Sequence, residues 1–135
     1  IGHNEGTYIY ENNVFSKLNN INGGWNLIKS TINEWYLQTS YSGILIYPNV
    51  QNLSQKIIVK GILKPIKYAA QDKKNEIWAA DNYRGLYRIS YNDAFETTKV
   101  ENITQKSKKD TNDFGVKIFE FRNEILFLIH KTWYT

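Results

Sequence analysis

The strongest constraint on what this chain can fold into is a repeat. Residues Glu34-Trp35-Tyr36-Leu37-Gln38-Thr39-Ser40-Tyr41-Ser42-Gly43-Ile44-Leu45-Ile46-Tyr47 match Glu76-Ile77-Trp78-Ala79-Ala80-Asp81-Asn82-Tyr83-Arg84-Gly85-Leu86-Tyr87-Arg88-Ile89 in kind and order. Each runs from an acidic residue through an aromatic-bearing strand and a polar turn to Gly, then into a second strand. Gly43 and Gly85 stand 42 residues apart. A shortened copy opens the chain at Gly2–Tyr10, with Gly6 as its marker, and a degenerate copy closes it at Glu124–Thr135. In that last copy Thr132 or Trp133 takes the place of the glycine. A tight hairpin often needs positive φ, which only Gly adopts without strain, so each glycine is expected at such a turn.

The material between the hairpins repeats as well. Gln55–Lys60, Thr97–Glu101 and Val14–Leu18 are short β-prone runs, and Trp25–Lys29, Pro65–Gln71 and Val116–Phe121 lead through polar turns into the hairpins. Each unit is therefore four strands, A to D, with the glycine turn joining B to C. The chain reads C-D, A-B-C-D, A-B-C-D, A-B-C. Four antiparallel strands in a period of about 40–45 residues is the pattern of a β-propeller blade. The expected fold is all-β: a β-propeller fragment of four-stranded antiparallel blades, two complete repeats and two partial ones. It forms a single segment, 1–135, with a partial blade at 1–20, blades at 21–62 and 63–105, and a partial blade at 112–135. A β-sandwich of this size has about seven strands and lacks such a period.

Composition agrees with β-structure. Of the 135 residues 41% are hydrophobic and 15% aromatic, enough apolar surface to build a core rather than a disordered chain. The net charge is +4 and scattered, apart from Lys106, Lys108 and Lys109, which read as a solvated loop and not a nucleic-acid patch. Without cysteine there is no disulfide framework and no Cys-based zinc site. No window of about 18 apolar residues exists to span a membrane. The chain holds no Met and starts Ile1-Gly2-His3, as expected of a processed or excised piece.

The segments Gly2–Gly6, Gly23-Gly24-Trp25, Thr39–Ile44 and Ile77–Tyr87 resemble the sensor propellers of Bacteroidetes regulators, both hybrid two-component systems and one-component regulators with a LuxR-type DNA-binding domain. The resemblance covers nearly the whole chain. It implies a periplasmic ectodomain segment of a membrane-anchored regulator, working in signal transduction and transcription regulation. It also implies that this segment neither binds nucleic acid directly nor enters the membrane.

Propeller geometry would place the B–C turns and D–A loops on one face, where ligands usually bind. Residues there are the candidate ligand-binding set: His3, Asn4, Trp25, Tyr41, Asp81, Asn82, Tyr83, Arg84 and His130. Aromatic faces beside amide and charged groups suit a saccharide. Several of these and neighbouring residues also have a structural explanation. Trp35 and Trp78 read as core, Tyr41 and Tyr83 as packing in or beside their turns, and Asp81 and Asn82 as turn-stabilising side chains. Trp25, after two glycines, could stack in a pocket.

No catalytic, metal or cofactor motif is present; His3 and His130 share one repeat position, and Glu34, Glu76 and Glu124 each open a B strand. The expected function is a non-catalytic ligand-sensing segment that binds a saccharide or other periplasmic small molecule. The first alternative is a protein-interaction or dimerisation scaffold. The second is a propeller-type polysaccharide lyase or hydrolase, which would need clustered ionisable groups with shifted pKa values. An incomplete ring also predicts sticky blade faces, and so either further blades in a longer protein or self-association.

Overall fold

The structure is a computed structural model and describes residues 1–30, 34–81, 83, 85–104, 115–122, 124–129 and 131–135. The described residues form the strands β1 (Gly2–His3), β2 (Gly6–Glu11), β3 (Val14–Asn19), β4 (Leu27–Lys29), β5 (Tyr36–Ser40), β6 (Gly43–Tyr47), β7 (Ile57–Ile58), β8 (Ile66–Gln71), β9 (Ile77–Asp81), β10 (Leu86–Tyr91), β11 (Thr97–Asn102), β12 (Lys117–Phe121), β13 (Glu124–Ile129) and β14 (Thr132–Tyr134). They form four antiparallel meanders in chain order. The first sheet is β1-β2-β3, the second β4-β5-β6-β7, the third β8-β9-β10-β11 and the fourth β12-β13-β14. The fold is thus all-β, with antiparallel sheets of three or four strands.

Alternation along each strand sends successive side chains to opposite faces, and neighbouring sheets pack through those faces. Leu37, Ile44 and Ile46 of the second sheet meet Ile66, Ile77, Ala79, Tyr87 and Ile89 of the third, with Trp35 buried beside them. The other face of the third sheet carries Ala70, Ala80 and Leu86, which pack with Ile118, Ile125, Phe127 and Ile129 of the fourth. The first two sheets meet differently, through a buried polar network. Asn19 Nδ2 donates to Tyr47 OH at 2.6 Å and to Gln38 Oε1 at 3.3 Å. Tyr47 OH donates to Gln38 Oε1 at 2.7 Å, and Gln38 Nε2 to Thr7 Oγ1 at 2.7 Å. Every named group in it has a partner, as buried polar groups require.

The hairpin glycines do not share one role. Gly43 has φ +120°, and a Cβ there would lie 2.3 Å from the Ile62 carbonyl oxygen, so both backbone and space demand Gly. Gly85 is not in the positive-φ region, contrary to the expectation. The turn it closes is longer, running from Asp81, and what excludes a side chain is contact: a Cβ would sit 2.3 Å from Tyr87 OH and 2.5 Å from Asp81 Oδ2. In the last hairpin Thr132, pairing with Ile129, takes the glycine position, as Gly43 pairs with Ser40. One difference appears at the start: Gly2 and His3 add a short strand, pairing with Thr7 and Gly6, ahead of the expected C-D pair. Another is β7, where only Ile57 and Ile58 of the Gln55–Lys60 run are strand.

Candidate functional site

Asp81 organises the turn after β9. It is buried, its Oδ1 accepts the amides of Tyr83 and Gly85, each at 2.9 Å, and its Oδ2 accepts Tyr87 OH at 3.0 Å. Lys64, from the loop after β7, donates Nζ to Tyr87 OH at 2.7 Å, lies 4.9 Å from that ring's centroid and stands 3.9 Å from Asp81 Oδ2. The hydrogen bond to Tyr87 raises the Lys64 pKa, and burial raises that of Tyr87. A Tyr acting as a base needs the opposite shift. Here the phenol keeps its proton and spends it on Asp81, while the turn amides occupy the other Asp81 oxygen. This ionisable cluster ties the turn after β9 to the loop after β7. The Asp81 expectation of a turn role is met, and Lys64 is a partner that the repeat alone did not reveal.

The neighbouring hairpin puts Trp25 and Tyr41 together. Their rings meet edge to face at 4.6 Å, and the Trp25 and Tyr41 amides donate to Thr39 O and Asn22 O at 3.1 Å each. The expected turn packing of Tyr41 and Tyr83 is only partly met. Tyr41 packs on Trp25 yet is 42% exposed, and Tyr83 is 65% exposed with its carbonyl accepting the Gly115 amide. A small cleft of about 40 Å³ lies beside Trp25, lined also by Gly24, Asn26, Leu27, Gln38 and Thr7. His3 is exposed: its Nδ1 accepts the Glu5 amide at 3.2 Å and its ring edges onto Tyr8 at 6.2 Å. Asn4 is exposed in the turn between β1 and β2. Asn82, Arg84 and His130 lie outside the described residues, as does the loop carrying Lys106, Lys108 and Lys109.

The larger concavity is elsewhere. A groove of about 480 Å³ opens between the third and fourth sheets, at the end where strands A and B join. Trp78, Ile125 and Phe127 form its apolar wall, with the Trp78 and Phe127 rings 4.9 Å apart. Part of its polar wall is paired internally. Trp78 Nε1 donates to Asp72 Oδ2 at 2.9 Å, and Arg88 lies over the Trp78 ring at 5.8 Å. Arg88 Nε and Nη2 both donate to Glu101 Oε2, at 3.1 and 2.5 Å, and Ser90 Oγ donates to Glu76 Oε1 at 2.9 Å. Bonds from Lys99 and then Arg88 hold the Glu101 carboxyl down at about 2. Sequence reasoning took Trp78 as plain core and missed the groove. Period-two alternation was the available signal, since Glu76, Trp78, Leu86 and Arg88 all fall on one face of the β9–β10 pair.

Among the described residues no group of three His, Asp or Glu could hold a metal ion, and no helix is long and apolar enough to cross a membrane. No protein family, curated protein or solved structure matches the chain.

Proposed function

We propose that the chain is a segment of a β-propeller and a non-catalytic recognition module, in the sensor role that the resemblance implies, working through protein–protein contacts. One observation carries the choice of contact. Apart from Trp25, Trp78 and Phe127, which line clefts, several aromatic residues outside the core stand exposed on the surface. Tyr41 and Tyr83 do so at the B–C turns. At the two ends of the stack of sheets, Tyr10 and Phe15 are 52% and 61% exposed, and Phe121 and Trp133 58% and 57%. Clustered exposed aromatics of this kind mark association surfaces. Sedimentation velocity tests it: association should grow with concentration and weaken in Phe121→Ser and Tyr10→Ser, with far-UV spectra unchanged. A chain that stays monomeric at every concentration would refute it.

A second reading, recognition of a saccharide in a periplasmic sensor, is favoured by the cleft beside Trp25, where an aromatic ring adjoins the Asn26 and Gln38 amides. Calorimetry against an oligosaccharide panel, with Trp25→Ala as control, tests it. Heat that vanishes in the variant supports it, and no heat with any member counts against it.

A further inference from the structure

The turn between β5 and β6 holds an exposed ring rigidly. Gly23, at φ +69°, packs so closely against Tyr41 that a Cβ there would run into the ring. Trp25 meets the same ring edge to face, with centroids 4.6 Å apart, and the Tyr41 amide is fixed on Asn22 O at 3.1 Å. Tyr41 is nonetheless 42% exposed. An aromatic plane held in place from below loses little freedom when something stacks on it.

Two connections bring lysines beside this ring. The loop 59–65 runs along the Gly43 end of the turn: the Val59 amide donates to Ile44 O at 3.0 Å, and the Ile62 carbonyl oxygen fills the space a Gly43 Cβ would need. That loop carries Lys60 and Lys64, both exposed. Asn26, next to Trp25, donates Nδ2 to Lys67 O at 2.9 Å and so ties the start of β8 to the ring pair. Lys64 spends its head group on Tyr87 and Asp81. Lys60 and Lys67 have no carboxylate partner among the described residues. The segments 20–26, 41–43 and 59–67, which build this face, contain no Asp or Glu.

We infer that the face around Tyr41 binds a saccharide that carries carboxylates, an oligomer of uronic acids. This rests on the saccharide reading above and adds the charge of the ligand and the residues that read it. The C–H face of a pyranose stacks on the Tyr41 ring, and the carboxylate at the sugar's edge reaches an ammonium at the rim of the plane. The four-carbon stems of Lys60 and Lys67 let their heads swing to meet it, in a charge-assisted hydrogen bond. A neutral sugar is a poorer match, because it leaves both ammonium groups without a counter-charge. An acidic peptide is poorer too. Its carboxylates hang on flexible stems whose ordering must be offset, and it offers no flat C–H face to the ring.

Oligomers of galacturonate, glucuronate and mannuronate and their full methyl esters differ chiefly in charge, so calorimetry with both forms isolates it. The wild-type chain should bind at least one acid form about tenfold or more tightly than its ester, the worth of one hydrogen bond to a charged group. High salt should shrink the difference. Lys60→Gln with Lys67→Gln should bring the acid form down to the level of the ester. Lys56→Gln with Lys73→Gln, at the opposite ends of the strands, should change nothing. Tyr41→Ala should lose both forms with the far-UV spectrum unchanged. Equal binding of acid and ester, a preference that survives in the Lys60 and Lys67 double variant, or tighter binding of a polyglutamate peptide overturns the inference and leaves the saccharide reading standing. Heat with neutral oligosaccharides alone does the same. No heat with any saccharide, charged or neutral, overturns both.

Discussion

Tyr47→Phe is the substitution that best separates the two kinds of sheet interface. The Tyr47 hydroxyl is buried, accepts Asn19 Nδ2 at 2.6 Å and donates to Gln38 Oε1 at 2.7 Å. Removing it deletes both bonds and leaves the Asn19 Nδ2 with the weaker 3.3 Å contact to Gln38 Oε1. With about 0.5–1.5 kcal/mol net per bond, and a further cost for under-satisfied buried groups, the expected loss is about 1–3 kcal/mol. Ile46, one residue earlier and wholly buried, points to the opposite, apolar interface. Ile46→Ala should cost about 2–5 kcal/mol through lost contacts and a cavity. Urea unfolding at constant m reads both values. Native-state hydrogen exchange then locates them. Tyr47→Phe should speed exchange mainly in β2 and β3, whereas Ile46→Ala should speed it across the second and third sheets. A double-mutant cycle of Tyr47→Phe with Asn19→Ala should show coupling of about 0.5 kcal/mol or more. A neutral Tyr47→Phe, or uniform acceleration, would refute the polar network as the tie between the first two sheets.

Other outcomes follow from the same geometry. Asp81→Ala, which removes the acceptor of the Tyr83 and Gly85 amides and of the Tyr87 hydroxyl, should lose about 1–3 kcal/mol in urea unfolding. Gly43→Ala should cost at least about 1–3 kcal/mol by the same assay, because φ +120° is strained for Ala and its Cβ meets the Ile62 carbonyl. Glu101 has a folded pKa of about 2, below its ordinary 4.5, so its contribution is full above pH 4.5 and fades as pH falls toward 2. Thermal melts of Glu101→Gln should therefore lie below wild type near neutrality and converge with it at the acid end. A constant offset down to pH 2 would rule that linkage out.

The strand layout was legible because two signals coincide: the glycine-marked hairpin and the period-two alternation on either side of it. Val116–Phe121 shows how far that reaches. Alternation puts Ile118 on the inner face and Phe119 and Phe121 on the other, as the structure has them, but nothing local says whether a sheet covers that other face. Exposure of Tyr83 was illegible for the same reason. The Lys64–Tyr87–Asp81 cluster joins residues 23 and 6 apart across a loop and a hairpin, so no window of sequence displays it. The polar seam was hidden differently. Gln38 stands where Ala79 stands in the next repeat, and a sequence cannot say that Asn19 and Tyr47 converge on it.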